Sequence, residues 1–335
     1  MKLKLDQFDK KILLELDKNA RITTSKIGKK LNRSKQFVDY RIKKLEENKI
    51  ITKYISVIDY TKLGFQSVRV YFNFQNITPK QEEELVEELI KKESVWWLVT
   101  LEGKWHIGYA VAIKNILEFY KDWDNIMKKY RQFISKKEIV TYTHIKQFPK
   151  TYLLNKKNTS YETTIGAQIN TIPLDNIDKN LLKILSNNAK MPLLKIANKL
   201  KTSPQVIKYH QKKLEKNKVI LGYRALIDVS HLGYKYYKAY LNFNNTNKLN
   251  QLHQYCKEHP NILNLNRTIG GCDFEIELQA KNFEEFDKIL KSIRTNFPNM
   301  ISNYDFVIAR EEKKMTYLPN IDWTKSTKPT YHNNL

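Results

Sequence analysis

Ser34–Lys49, SKQFVDYRIKKLEENK, decides the reading of this chain, and it is said twice: Ser203–Lys218 reads SPQVIKYHQKKLEKNK, 169 residues later. Each copy opens on a serine, a strong helix N-cap. In the first copy Val38, Ile42 and Leu45 follow at i, i+4, i+7, one apolar stripe of an amphipathic helix. The opposite face holds Gln36, Tyr40 and Lys43, with Lys44 beside it. Between the copies the buried side changes: Phe37 becomes Val206, Val38 becomes Ile207 and Ile42 becomes Gln211. The outward pairs Gln36/Gln205, Tyr40/Tyr209, Lys43/Lys212 and Lys44/Lys213 are identical. A solvated face ordinarily drifts before a core does, so the reversed order points to the same kind of contact made by both outward faces.

Net charge points the same way. Of the +24 carried by 335 residues, residues 1–54 hold 16 Lys+Arg against 7 Asp+Glu, and residues 174–223 hold 11 against 3. The surplus is therefore concentrated in the two copies of the opening motif, the footprint of a polyanionic partner and of nucleic acid in particular. No apolar run reaches the roughly 18 residues of a membrane span. The N-terminal MKLKLDQFDKKILLEL reads as amphipathic helix rather than export signal. Cys256 and Cys272 form no disulfide framework and no metal spacing, which suits reduced thiols in a cytoplasmic protein.

Around the opening motif the chain organises itself. Asp9–Asn19 carries Ile12, Leu13 and Leu16 on one face. Thr24 is expected to cap a short helix, Ser25–Leu31, and Asn32-Arg33 makes the tight turn into the third helix, the pattern of a helix-turn-helix. Ile50–Asp59 is expected to be a short strand pair, where a wing would sit. Beyond Leu63-Gly64 the periodicity becomes βαββαβ, with strands at Gln66–Phe74, Val95–Leu101, Trp105–Ile113 and from Ile139, and helices at Pro79–Glu93 and Ile116–Tyr130. The second half repeats the scheme, with helices over about Asp178–Asn188, Leu193–Lys201 and Ser203–Lys216 and a βαββαβ unit from about Lys235 to Glu312. The fold class expected is α+β: two tandem copies of a winged helix-turn-helix module followed by a ferredoxin-like βαββαβ domain. The divisions expected are 1–62, 63–154, a linker at 155–173, 174–231, 232–318 and a tail at 319–335.

The motif residues Leu5-Asp6, Asp9, Asn19-Ala20-Arg21, Ser34, Arg41-Ile42, Leu45-Glu46, Tyr54, Ile58-Asp59 and Leu63-Gly64 resemble the Lrp/AsnC family of transcription regulators, the feast/famine proteins. The second copy matches at Leu174-Asp175, Asp178, Asn188-Ala189-Lys190, Ser203, Leu214-Glu215, Tyr223, Asp228 and Leu232-Gly233, and departs at His210-Gln211, where the pattern has Arg-Ile. The tandem form is similar to fused archaeal members. The resemblance implies duplex DNA as partner and a homo-oligomer built through the sensing domains, with one fused chain supplying both halves of the family's dimer. Ser34, Lys35, Gln36, Tyr40, Lys43, Lys44 and Lys53 would contact DNA from the first module. Ser203, Gln205, Lys208, Tyr209, Lys212 and Lys213 would do so from the second, with glutamine reading base edges and lysine holding phosphates. It also implies an amino-acid-like effector near the family's glycine turn, here Gly103 and His106 in the first unit and Thr268, Gly270 and Asp273 in the second. His106 stands where that pattern has aspartate.

The sequence carries no Walker loop, HExxH, GxSxG or CxxC pair, so no catalytic residue, cofactor or metal is expected. The alternative reading is a siroheme-decarboxylase-like enzyme, since those enzymes resemble the same two-module architecture. A third is an amino-acid-binding module without DNA contact. The charge concentration and the paired Gln-Tyr-Lys faces favour the regulator.

Overall fold

The computed structural model describes residues 5–158, 161–166 and 170–318. The tail expected at 319–335 lies outside the described residues. The first helical module comprises α1 (Gln7–Lys18), α2 (Thr24–Leu31) and α3 (Lys35–Glu47). Asp6 and Asp9 close a reciprocal capping box at the start of α1. Thr23, not Thr24, caps α2, because its extended backbone lets the hydroxyl accept from the Lys26 N–H. Ile12, Leu13, Leu16, Ile27, Val38, Ile42 and Leu45 form the core between the three helices.

The expected strand pair at Ile50–Asp59 is one strand, β1 (Ile51–Ile58). Its partner comes from the other half of the chain, β7 (Ile220–Ile227), in an antiparallel two-stranded ribbon with Tyr54 opposite Ala225 and Ser56 opposite Tyr223. Each strand packs on the other module's helices. Ala225 of β7 joins the core of the first module, while Ile55 and Val57 of β1 join that of the second. The helices of the second module are α6 (Asn176–Asn187), α7 (Leu193–Lys199) and α8 (Pro204–Lys216).

The first βαββαβ unit is β2 (Gln66–Phe74), α4 (Pro79–Lys91), β3 (Val95–Gly103), β4 (Ile107–Ile113), α5 (Ile116–Tyr130) and β5 (Ile134–Gln147). The second is β8 (Lys235–Phe243), α9 (Leu249–Glu258), β9 (Ile262–Ile269), β10 (Phe274–Ala280), α10 (Phe283–Asn296) and β11 (Ile301–Met315). Within each unit the strand order is 4-1-3-2, as β5-β2-β4-β3 and β11-β8-β10-β9. The two four-stranded sheets do not remain separate layers. They join at both edges, β3 to β11 and β5 to β9, so the eight strands close into a barrel with no free edge. The linker expected at 155–173 is structured in part, because β6 (Thr163–Gly166) pairs with His144–Gln147 at the end of β5.

Strand alternation then divides the side chains between two environments. On β2, Val68, Val70 and Phe72 face the α4/α5 core, and on β8, Tyr237, Ala239 and Leu241 face that of α9/α10. The alternate residues Arg69, Tyr71, Lys238, Tyr240, Glu275 and Glu277 are buried on the other side, inside the barrel. There Arg69 donates to Glu277 at 3.1 Å, and Lys238 meets Glu275 at 2.6 Å and Glu277 at 3.5 Å. Lys238 also donates to Tyr71 and Tyr142 at 2.6 and 2.7 Å. Asn266 donates to Glu277 and Glu275 at 2.9 and 3.2 Å. Arg69, Tyr71 and Tyr142 come from the first unit and the rest from the second, so the network ties the halves of one chain together.

Candidate nucleic-acid interface

Ser34 and Ser203 act first as caps: the Ser34 hydroxyl accepts from the Phe37 N–H at 3.1 Å and the Ser203 hydroxyl from the Val206 N–H at 3.3 Å. With the apolar stripes turned inward, the outward face of α3 exposes Lys35, Gln36, Tyr40 and Lys43, and that of α8 exposes Gln205, Lys208, Tyr209 and Lys212. Tyr40 is 62% and Tyr209 65% exposed, unusual for aromatic side chains on well-packed helices. Both tyrosines stand one turn from the glutamine and beside the lysine on the same face. Lys43 lies 3.8 Å from Glu47, a solvated pair of little energetic weight.

Three of the lysines do not share one situation. Lys44 is half-buried and has no ion-pair partner among the described residues. Lys213, its counterpart, donates to Asp178 at 2.7 Å and to Asp175 at 3.4 Å. Lys53 lies on β1, half-buried, and donates to Asn187 of the second module at 3.1 Å. Burial pushes its ammonium below the ordinary lysine range. The structure therefore makes Lys53 a tether between modules and does not place it with the α3 face.

The modules are held to each other reciprocally. The Ala20 N–H donates to the Tyr223 carbonyl at 2.8 Å, and the Ala189 N–H to the Tyr54 carbonyl at 2.9 Å. The Arg21 guanidinium lies 5.2 Å from the Tyr223 ring centroid and the Lys190 ammonium 4.1 Å from that of Tyr54. Each tyrosine hydroxyl donates to a glutamate on its own module's third helix, Tyr54 to Glu46 at 2.5 Å and Tyr223 to Glu215 at 2.6 Å. Burial, reinforced by that carboxylate, pushes both phenols well above their usual range. Tyr54 and Tyr223 stood out in the sequence only as motif positions. Their coupling of α3 and α8 to the ribbon depends on a pairing between segments 169 residues apart.

The two glycine turns lie at opposite seams of the barrel, so the structure does not bring the two expected effector sets together. Gly103 (φ +111°) sits against the Phe306 carbonyl of β11, where an added Cβ would lie 2.9 Å away. Gly270 (φ +86°) sits against the Ile139 carbonyl of β5 at 3.0 Å. Both positions demand glycine for barrel closure, on φ and on space alike. His106 Nδ1 accepts from the Phe74 N–H at 3.0 Å, and Asp273 accepts from the Phe243 N–H at 2.8 Å. The histidine departure thus keeps an acceptor at the same structural place. The Thr268 hydroxyl donates to the Cys272 carbonyl at 2.6 Å. Cys272 and Cys256 are free and buried, and burial pushes the Cys272 thiol up to about 12.

The winged helix-turn-helix DNA-binding family profile matches residues 5–52 and again 174–220. The HTH-type transcriptional regulator FL11 of Pyrococcus horikoshii is 29% identical over 148 residues, 44% of this chain and 97% of FL11. A second HTH-type transcriptional regulator, from Pyrococcus furiosus, is 33% identical over 118 residues, 35% of this chain and 79% of that protein. The chain belongs to the Lrp/AsnC family. A whole Lrp/AsnC relative corresponds to about half of it, as the internal repeat requires. Among solved structures, the siroheme decarboxylase NirDL is similar along the full length, with a TM-score of 0.62 at 13% identity over 94% of this chain and 96% of that one. At that identity the likeness is one of fold.

Proposed function

We propose that this Lrp/AsnC chain is a transcription regulator that binds duplex DNA in a sequence-specific way with α3 and α8 in the major groove. The observation that carries the reading is the pair of matched outward faces, held by one exchanged ribbon so that a single chain presents two reading helices in fixed relation. Gln36 and Gln205 suit adenine N6/N7 or another base edge. Tyr40 and Tyr209 suit a thymine methyl or a phosphate. Lys35, Lys43, Lys44, Lys208 and Lys212 hold the backbone. Ser34 and Ser203 bring helix N-termini to the phosphates.

An amino-acid-like effector at the seams near Gly103 and His106, or near Thr268, Gly270 and Asp273, would act by shifting barrel against ribbon. Association between chains through the sensing units in the cytoplasm completes the reading. The test is duplex binding against salt: log affinity should fall against log salt with a slope of about −0.9 per phosphate neutralised, losing orders of magnitude between roughly 50 and 200 mM. A flat response, together with tetrapyrrole absorbance in the purified protein, would instead favour the decarboxylase-like reading that the whole-chain fold also accommodates.

A further inference from the structure

We propose that the second helical module contains a divalent-metal site formed by Asp175, Asp178 and His210, and that metal binding there frees Lys213 for the DNA face. The argument starts from a contrast between the copies. In the first module Arg41 fills the space between the carboxylates at the head of α1, 2.9 Å from Asp6 and 3.2 Å from Asp9. An arginine there is a fixed cation and ligates nothing. In the second module His210 takes that position, with Nδ1 2.8 Å from Asp178 and 3.6 Å from Asp175. One imidazole nitrogen and two carboxylate oxygens then lie within 4.8 Å of one another.

The oxygens are the right ones. Asp175 uses Oδ1 to accept the Asp178 N–H at 2.8 Å, and Asp178 uses Oδ2 to accept the Asp175 N–H at 3.2 Å, which together form the capping box of α6. The atoms nearest His210 are the other two, Asp175 Oδ2 and Asp178 Oδ1. A cation can therefore bind without uncapping the helix. Ligand distances of about 2.0–2.2 Å for zinc place neighbouring ligands roughly 3–3.5 Å apart, against the 2.8 and 3.6 Å that separate Nδ1 from the two carboxylate oxygens. Asp178 is fully buried and His210 nearly so, while Asp175 opens to solvent and leaves a path of entry and a place for water. A mixed imidazole–carboxylate set suits Zn2+, Co2+ or Ni2+ rather than Ca2+. His210 would shift its proton to Nε2 as Nδ1 takes the metal.

In the metal-free arrangement Lys213 neutralises these carboxylates, whereas its counterpart Lys44 has no such partner among the described residues. A divalent cation bound between the same carboxylates removes the attraction and repels the ammonium, so Lys213 becomes available to phosphate as Lys44 is. The metal site stands without DNA binding; the release of Lys213 rests on the regulator reading.

The experiment titrates the full chain, untagged and chelator-treated, with Co2+, followed by competition with Zn2+. We expect visible d–d absorbance saturating at one equivalent per chain, lost on adding Zn2+ and absent in His210→Arg. That variant copies the arrangement the first module already holds, and an unchanged melting midpoint confirms its fold. No cobalt spectrum, or the same spectrum in His210→Arg, overturns the site. In DNA binding, Zn2+ should steepen the salt slope by about 0.9, one phosphate, in the wild type and leave Lys213→Ala unchanged. An unchanged slope with metal bound overturns the release and leaves the site. A chain that binds cobalt but no duplex overturns the regulator reading, and the release with it.

Discussion

Arg224, on the strand of the second module, clamps Asp17, on the first helix of the first. Its Nη2 donates to both Asp17 carboxylate oxygens at 2.8 and 2.9 Å, and its Nε to the Asp17 carbonyl at 3.1 Å. Lys150, just past the end of β5, adds its backbone N–H at 2.8 Å and its ammonium at 3.3 Å. Three segments, from helical module, ribbon and barrel edge, thus meet on one fully buried carboxylate. Burial pushes that carboxyl up, but Arg224 and Lys150 together outweigh it and hold it below the usual range. The pseudo-twofold symmetry of the chain is broken here, because the counterpart of Asp17 is Ser186 and that of Arg224 is Ile55.

Asp17→Asn leaves the buried Arg224 and the half-buried Lys150 without their anion. We expect it to cost about 3–5 kcal/mol of unfolding free energy, measured by urea denaturation. Asp17→Leu combined with Arg224→Met should recover part of the loss, since an apolar replacement of a buried pair is often neutral. A loss below 1 kcal/mol for Asp17→Asn would show that the clamp is not a fixed joint.

Inside the barrel, Glu277 should govern the acid limb of stability. Burial pushes it up, but Lys238 and Arg69 reverse this and take it from 4.5 to about 2. A carboxylate whose folded value is lowered contributes stability that is complete above its unfolded value and is lost as pH falls through the folded one. The window is therefore from about 4.5 down to about 2, with a contribution on the order of 3 kcal/mol. Glu277→Gln should lower stability at neutral pH and flatten this limb. Unfolding free energies measured across the window in both proteins check it, and parallel curves would count against Glu277.

The recognition faces separate reading from positioning. Gln36→Ala together with Gln205→Ala should cost about 1–3 kcal/mol of discrimination at each contacted base pair. Lys43→Ala should weaken all sequences about equally and reduce the salt slope by about 1. Binding selections on a random duplex library, run on both variants, distinguish the two. A preferred sequence unchanged by the glutamine substitutions would remove them as base readers.

The half-sites should be related but not identical. The faces share Gln, Tyr and Lys, yet Lys35 is matched by Pro204 and Asp39 by Lys208. Asp39 repels phosphate where Lys208 attracts it, so the second module should lean more on the backbone. A cleaving probe attached near Lys35 should cut mainly at one end of the site, and one near Pro204 at the other. Equal cutting at both ends by either probe would mean that the chain binds in both orientations or that two chains each donate the same module, and would overturn the one-chain arrangement.

The sequence by itself determined the repeat, the helices, the serine caps of α3 and α8, the alternating strands and the outward Gln-Tyr-Lys faces, because each is written in local periodicity and needs no partner from afar. Ser34, Ser203 and the Val38–Ile42–Leu45 stripe were legible for that reason. What the tertiary structure decided involves which distant segments meet. The expected wing hairpin became the exchanged β1–β7 ribbon, because the strand that Ile51–Ile58 pairs with is not its neighbour in sequence. Lys53 was drawn into that ribbon and away from α3. Alternation showed that β2 and β8 have two faces, but not that Arg69 and Lys238 would be buried opposite Glu275 and Glu277. That burial is tolerable because Lys238 meets both carboxylates across the β8–β10 pair, while barrel closure brings Arg69 from the other half to Glu277. The Asp175–Asp178–His210 cluster is invisible in the same way: His210 lies 32 residues from Asp178 along the chain, and only the packing of α8 on the head of α6 makes it a neighbour of the two carboxylates.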